Sequence, residues 1–234
     1  MFHMKQKNNT FDVLVIGGGH AGVEAAVSAK RMGARVGLVT FSKGDLGVMS
    51  CNPAMGGLGK GHLIREVDAL GGVIGVASDQ AGIQFRMLNK TRGEAVRGPR
   101  AQIDRNIYKQ SIKEILIKEK IEIIEDEALD IITNKKPSNT LPQVSCVVLK
   151  QMGKINCKCV IVTTGTFLKG LIHCGSKRVE AGRSGSRPAK ELATFFEKNK
   201  FIIKRLKTGT PPRLDKRSIN FKKCVEQLGD KNPE

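Results

Sequence analysis

Phe11-Asp12-Val13-Leu14-Val15-Ile16, followed at once by Gly17-Gly18-Gly19-His20-Ala21-Gly22, decides the fold of this chain. An unbroken apolar run of this length suits a strand buried on both faces of a parallel sheet. The glycines after it fit G-x-G-x-x-G in the context that gives the motif meaning, a strand on one side and a helix on the other. Ala25, Ala26 and Ala29 fall on that helix, which is expected to end near Gly33, and Arg35 to Thr40 supplies a second apolar strand. The unit reads as β-α-β. Gly17 permits the tight turn, Gly19 lets the backbone approach a pyrophosphate, and Gly22 lets helix and strand pack closely, with the helix N-terminus facing the negative charge.

The acidic residue that usually accepts the ribose hydroxyls at the end of the second strand is missing, because the chain reads Leu38-Val39-Thr40-Phe41-Ser42 there. Thr40 or Ser42 is the available substitute. This weakens a generic NAD dehydrogenase and leaves the cofactor to be decided by other segments.

A second block, Ser50-Cys51-Asn52-Pro53-Ala54-Met55-Gly56-Gly57-Leu58-Gly59-Lys60-Gly61-His62, places four glycines and a lysine just after a lone cysteine. Glycines at this density let backbone N–H groups crowd a ligand, so Asn52, Gly56 and Gly57 are candidate cofactor contacts, and Lys60 adds a positive charge beside a ring or a phosphate. It is not a Walker A loop, since Gly61 stands where that motif needs Ser or Thr. Cys51 is either a nucleophile with a lowered pKa or an inert buried thiol.

The chain has 234 residues, 40% of them hydrophobic, enough to bury a core in one domain or one domain plus an insertion. Forty Lys and Arg against 22 Asp and Glu give a formal charge of +18. Such a charge favours a polyanionic partner, nucleic acid first, unless it only reflects a biased base composition of the gene. Aromatics are 4%, too few for base-stacking platforms, so RNA would be held through its backbone. Basic groups cluster at Arg86, Lys90, Arg92, Arg97, Arg100 and Arg105 and again from Lys198 to Arg217; Lys207 and Arg213, beside Thr208-Gly209-Thr210-Pro211-Pro212, are the better phosphate contacts. Six scattered cysteines build no zinc site and point to a reducing compartment. Met1 to Thr10 lacks the apolar core of a signal peptide and no run is long enough to span a bilayer, so a cytoplasmic protein is expected. His62 and His173 have no metal-like partners.

Asp104 to Lys120 carries Ile107, Ile112, Ile115 and Leu116 at helical spacing, a covering helix for the sheet. Ile121–Ile124, Ala128–Ile132 and Val144–Leu149 read as strands of a small antiparallel insertion. Cys159 to Gly165 is expected to return as a buried strand ending where Gly165 admits a cofactor.

The fingerprint at Gly17 to Gly22, Ser50 to Gly61, Glu66-Val67-Asp68-Ala69-Leu70-Gly71-Gly72, Asp79-Gln80-Ala81-Gly82-Ile83-Gln84-Phe85 and Leu206-Lys207-Thr208-Gly209-Thr210-Pro211-Pro212-Arg213 together resemble the MnmG (GidA) family, the tRNA uridine 5-carboxymethylaminomethyl modification enzymes. The resemblance implies an α/β fold with a Rossmann-like FAD-binding domain of the glutathione-reductase-like kind and a small antiparallel β insertion. It implies an enzyme that uses FAD, NADH, a methylene-tetrahydrofolate one-carbon unit and glycine or ammonia to modify C5 of the wobble uridine of tRNA, as a homodimer working with the GTPase MnmE.

By the same resemblance FAD is held at Gly17, Gly18, Gly19, His20, Ala21 and Gly22, with an adenine-side contact at Leu129 and a further backbone contact near Arg187-Pro188-Ala189, where relatives carry a small hydroxyl residue. The family's active-site cysteine falls on Cys51, whose thiolate adding at uracil C6 would make C5 nucleophilic. The implied boundaries are a polar tail over 1–10, an incomplete FAD-binding domain over 11–200 with its insertion at about 121–158, and the start of a second domain over 201–234. The chain is read as the truncated amino-terminal part of such an enzyme. Two alternatives stand beside it: a folate- and FAD-dependent tRNA uridine methyltransferase-like flavoenzyme, and a non-catalytic FAD- or RNA-binding remnant.

Overall fold

A computed structural model describes residues 10–50, 52–134, 141–185, 188–209 and 211–233. In chain order the elements are β1 (Thr10–Ile16), α1 (His20–Arg31), β2 (Val36–Thr40), β3 (Ala54–Gly56), α2 (Lys60–Ala69), α3 (Ile74–Gln80), β4 (Gly82–Leu88), β5 (Gly98–Ile103) and α4 (Arg105–Lys118). They continue with β6 (Glu122–Glu125), β7 (Ala128–Asn134), β8 (Gln143–Leu149), β9 (Gly153–Val162), β10 (Leu171–Cys174), β11 (Lys177–Glu180) and α5 (Glu191–Lys198). Two compact units result, one from residues up to 48 with 113–204, the other from 49–112 with 205–234.

The first unit is built on a six-stranded sheet in the order β6-β2-β1-β9-β8-β7. The apolar run makes β1 as expected, and Phe11, Leu14, Val15 and Ile16 are buried. Every residue of β2 is buried. Gly37 sits in β2 because a Cβ there would come within 2.8 Å of the Leu14 side chain and 3.1 Å of the Phe11 ring. Truncating a core side chain such as Leu14 to Ala costs about 2–5 kcal/mol.

Strands β6, β2, β1 and β9 run parallel. Ile121–Ile124 was expected within the antiparallel insertion, but β6 lies beside β2 and parallel to it, so the antiparallel part begins at β7. Strand β9 serves both halves: its early residues pair antiparallel with β8, while Asn156 to Val162 pair parallel with β1. The return was expected as a buried strand from Cys159. It starts earlier, at Gly153, and Ile155 and Cys157 are buried while Cys159 and Ile161 are exposed. The meander and α5 close one core, with Ile131, Val147, Leu149, Ile155 and Leu192 packed together.

Helix α1 follows β1 across the three-residue turn Gly17-Gly18-Gly19. Lys30 and Arg31 in its last turn oppose the negative end of the helix dipole, and Gly33, at φ +89°, ends it as predicted.

In the second unit the sheet is antiparallel, in the order β3-β5-β4, with α2 and α3 against it. In the part of α4 that belongs to this unit, Tyr108 and Ile112 are buried while Ile107 is about half exposed. Ile112 is buried as expected, and only Ile107 is displaced, by Tyr108, which lies four residues before Ile112 on the same face. The end of the chain runs along β4: Asp230 N–H donates to Phe85 O at 2.8 Å, and the Asp230 carboxylate accepts from Met87 N–H at 2.6 Å. Strand β4 is an edge of its sheet, and these bonds cover it.

Candidate functional site

The carboxyl ends of β1, β2 and β9 hold the fingerprint. β2 lies on one side of β1 and β9 on the other, with α1 leading to β2, so the strand order reverses at β1. Such a switch point is where open α/β sheets bind ligands. The six fingerprint residues divide into two sets by what surrounds them.

Gly17 and Gly22 are structural necessities, and Gly18 is buried and closely packed. Gly17 has φ +114°, and a Cβ on it would lie 2.5 Å from Thr163 O. A Cβ on Gly22 would lie 1.8 Å from Gly17 O, and one on Gly18 would lie 2.7 Å from Leu46 Cδ2. Gly19 and Ala21 are different. Both are exposed, and a Cβ on Gly19 would meet nothing within 4 Å. Helix α1 carries no acidic residue in its first turn, so the amide groups there present uncompensated positive potential. His20 is half-buried between the two sets.

Thr163, just past β9, locks the turn from the other side. Its N–H donates to Ile16 O at 2.8 Å, and its Oγ1 lies 3.0 Å from Ile16 O and 3.1 Å from Gly17 O. A second brace comes through the 3-10 turn Lys43–Asp45: Gly47 N–H donates to Gly18 O at 3.1 Å, and Asp45 pairs with Arg183, whose guanidinium lies over the Phe167 ring.

Thr40 is buried at the end of β2 with Oγ1 donating to Ser42 O at 3.2 Å, and Ser42 Oγ accepts from Gly44 N–H at 3.1 Å. Both hydroxyls therefore already have local partners. Leu129 is half-buried in β7 beside buried Ala128. Gly165 is exposed at φ +59° with open space where a Cβ would stand. Ala189 N–H donates to Phe167 O at 2.9 Å and its carbonyl accepts from Lys169 N–H, while Arg187 of the expected contact lies outside the described residues.

Cys51 lies outside the described residues. In the second unit Asn52 is exposed, and Gly56, Gly57 and Gly61 wrap the Pro99 carbonyl. A Cβ on Gly56 would stand 2.1 Å from Pro99 O and one on Gly61 2.8 Å from it, while Gly57 N–H donates to that oxygen at 2.8 Å. Backbone packing therefore accounts for Gly56 and Gly61, and a φ of +103° for Gly57. Lys60, the first residue of α2, has Nζ 3.4 Å from Ala54 O, and partial desolvation pulls its ammonium below the ordinary lysine range. His62 Nε2 lies 3.0 Å from Ala95 O.

Among the expected phosphate contacts, Lys207 and Arg213 are exposed, whereas Lys90 pairs with Asp230 and Arg217 with Asp215. No group of three or more His, Cys, Asp or Glu among the described residues could hold a metal. No described helix is long and apolar enough to cross a membrane.

A family model described as glucose inhibited division protein A matches residues 12–234. This chain belongs to that family. It is 50% identical over 224 residues to the tRNA uridine 5-carboxymethylaminomethyl modification enzyme MnmG of Granulibacter bethesdensis, covering 95% of this chain and 35% of the relative. It is 47% identical to the MnmG of Sulfurihydrogenibium, covering 95% and 36%. The solved GidA of Aquifex aeolicus superposes with TM-score 0.87 at 45% identity, covering 96% of this chain and 36% of that one. The chain thus spans about a third of the length of the curated relatives it matches. The GidA-related protein of Thermus thermophilus, at 17% identity and TM-score 0.55, shares the fold.

Three structural contributors escaped the sequence reading: Thr163 and the Asp45–Arg183 pair in the first unit, and Pro99 in the second. Each acts across a long sequence separation, and the one available signal was the Thr-Thr-Gly ending of β9.

Proposed function

We propose that this chain supplies the FAD-binding part of an enzyme that adds the carboxymethylaminomethyl group at C5 of the wobble uridine of tRNA. The observation that carries the reading is the division of the fingerprint into packed glycines and an open face at Gly19 and Ala21, at the amino end of α1. That face suits a pyrophosphate. Gly17, Gly18, Gly19, His20, Ala21 and Gly22 would hold it through backbone N–H groups, with Thr40, Leu129 and Gly165 as further contacts from the same unit. When bound, FAD supplies two-electron redox chemistry.

The chain's own residues do the rest. Thr163 fixes the carbonyls that shape the turn, and no carboxylate in the first turn of α1 competes with an anion for the positive end of the helix. Asn52, Gly56, Gly57 and Lys60 are proposed contacts from the second unit. Cys51 is the proposed nucleophile, adding to uracil C6 so that C5 can attack an electrophilic carbon. NADH as reductant, methylene-tetrahydrofolate and glycine or ammonia as co-substrates, MnmE as partner, a homodimer and a cytoplasmic location complete the reading. The chain's +18 charge supports a tRNA partner.

Two measurements test it. Purified chain mixed with FAD and passed through gel filtration should carry a co-eluting flavin absorption band. In a chimera whose residues 12–234 replace the matching part of a full-length relative, wobble-uridine modification should persist and Cys51→Ser should abolish it. A folded chain that retains no flavin, together with a chimera that modifies no tRNA, would refute the assignment.

A further inference from the structure

We infer that the pocket enclosed by α2, α3 and the β3-β5-β4 sheet in the second unit is a binding site for a small-molecule oxyanion, a carboxylate or a phosphate monoester. The cavity is about 220 Å³, a size for a metabolite and not for a folded nucleic acid. One cross-strand row of its sheet wall carries two arginines. Gly56 on β3 pairs with Arg100 on β5, and Arg100 pairs with Arg86 on β4. Both arginines line the cavity, and Arg65 of α2 joins them.

Two like charges directly opposite one another on neighbouring strands destabilise a sheet. Asp230, which also lines the pocket, acts on Arg86 through its charge, but no ion pair neutralises either arginine among the described residues. Among the described residues no carboxylate forms an ion pair with Arg65, Arg86 or Arg100. The one hydrogen bond from Arg86 goes to a neutral acceptor, Leu228 O, at 3.2 Å. Asp230, also in the lining, is committed to Met87 N–H and Lys90.

A bound oxyanion would resolve the repulsion, since guanidinium groups present paired donors that match two oxygens at once. Asp68 and Asp79 stand on the helical wall, which favours a ligand that carries a hydroxyl or amine donor beside its anionic group. The inference is independent of flavin binding.

The test is isothermal titration calorimetry on the full 234-residue chain, without flavin, with inorganic phosphate and with acetate as separate probes in chloride buffer of physiological ionic strength. Wild type and the exposed-site control Arg178→Gln should bind one of the probes at one site per chain, and which probe binds identifies phosphate or carboxylate chemistry. Arg100→Gln and Arg65→Gln should each weaken that binding by about tenfold or more, as expected for loss of a charged hydrogen-bond donor. Circular dichroism reports folding of each variant. If Arg100→Gln does not fold, Arg65→Gln, at an exposed helical position, decides the matter. No binding of either probe, or binding that Arg178→Gln weakens as much as the pocket variants, overturns the proposal.

Discussion

Thr163 Oγ1 lies 3.1 Å from the carbonyl of Gly17, joining two residues 146 positions apart. The same hydroxyl reaches Ile16 O, so the end of one strand pins the turn that follows another. Thr163→Val should lose about 0.5–1.5 kcal/mol of stability, the usual net worth of such a bond, while Thr163→Ser retains it. Thermal unfolding of the two variants, with retained FAD absorbance as a second readout, checks this; equal behaviour of Val and Ser would show that the hydroxyl contributes nothing.

Gly22→Ala and Gly19→Ala should separate folding from ligand binding. A Cβ on Gly22 collides with Gly17 O, so that variant should be poorly folded. A Cβ on Gly19 meets nothing, so that variant should fold normally and lose FAD if the open face is the pyrophosphate site. Circular dichroism combined with flavin retention reads both, and a Gly19→Ala chain with unchanged FAD affinity would move the ligand elsewhere.

Burial, with Cys146 and Cys159 nearby, pushes the Cys157 thiol from its ordinary 9.0 up to about 11. A raised folded pKa means the native state holds the proton more tightly than the unfolded chain. The resulting stability is complete below the unfolded value and is lost as pH rises from about 9 to about 11. Denaturant unfolding across that range should show a steeper decline for wild type than for Cys157→Ala. At neutral pH a thiol reagent should label exposed Cys159, Cys174 and Cys224 well before Cys157.

Asp230 has its carboxyl held below the usual carboxylate range, first by the Met87 N–H bond and then by Lys90. A lowered folded pKa gives stability that is present above the unfolded value and disappears as pH falls through the folded one. Asp230→Asn should release the segment along β4, seen as faster proteolytic clipping near residue 230 and faster amide exchange at Met87. An unchanged clipping rate would mean that the backbone bond to Phe85 suffices alone.

The fold was largely legible because its signals are local. The apolar run at Phe11–Ile16, the glycine turn and the alanine-bearing helix each announce themselves within a dozen residues. The parallel pairing of β6 was not, since a short strand has the same pattern whichever way its neighbour runs. Ile107 was placed inside where Tyr108 belongs, because a stripe drawn through isoleucines overlooks that a tyrosine can fill the same face. At the site, the glycine spacing identified the turn, but only coordinates separate Gly22, which packs, from Gly19, which is open. Gly56 and Gly61 resembled a ligand cradle in sequence, and the Pro99 carbonyl that also requires them lies some forty residues downstream.

Strand β9 acts as a transmission shaft. One end is geared to the antiparallel meander and the other carries Thr163 to the nucleotide turn, so displacement of the meander by one residue would rotate every later side chain to the opposite face. Natural or engineered length changes in this region should therefore accumulate in the connection between β7 and β8, where they leave the phase of β9 untouched. A single-residue insertion within β9 should disable the turn while sparing the strands on its far side.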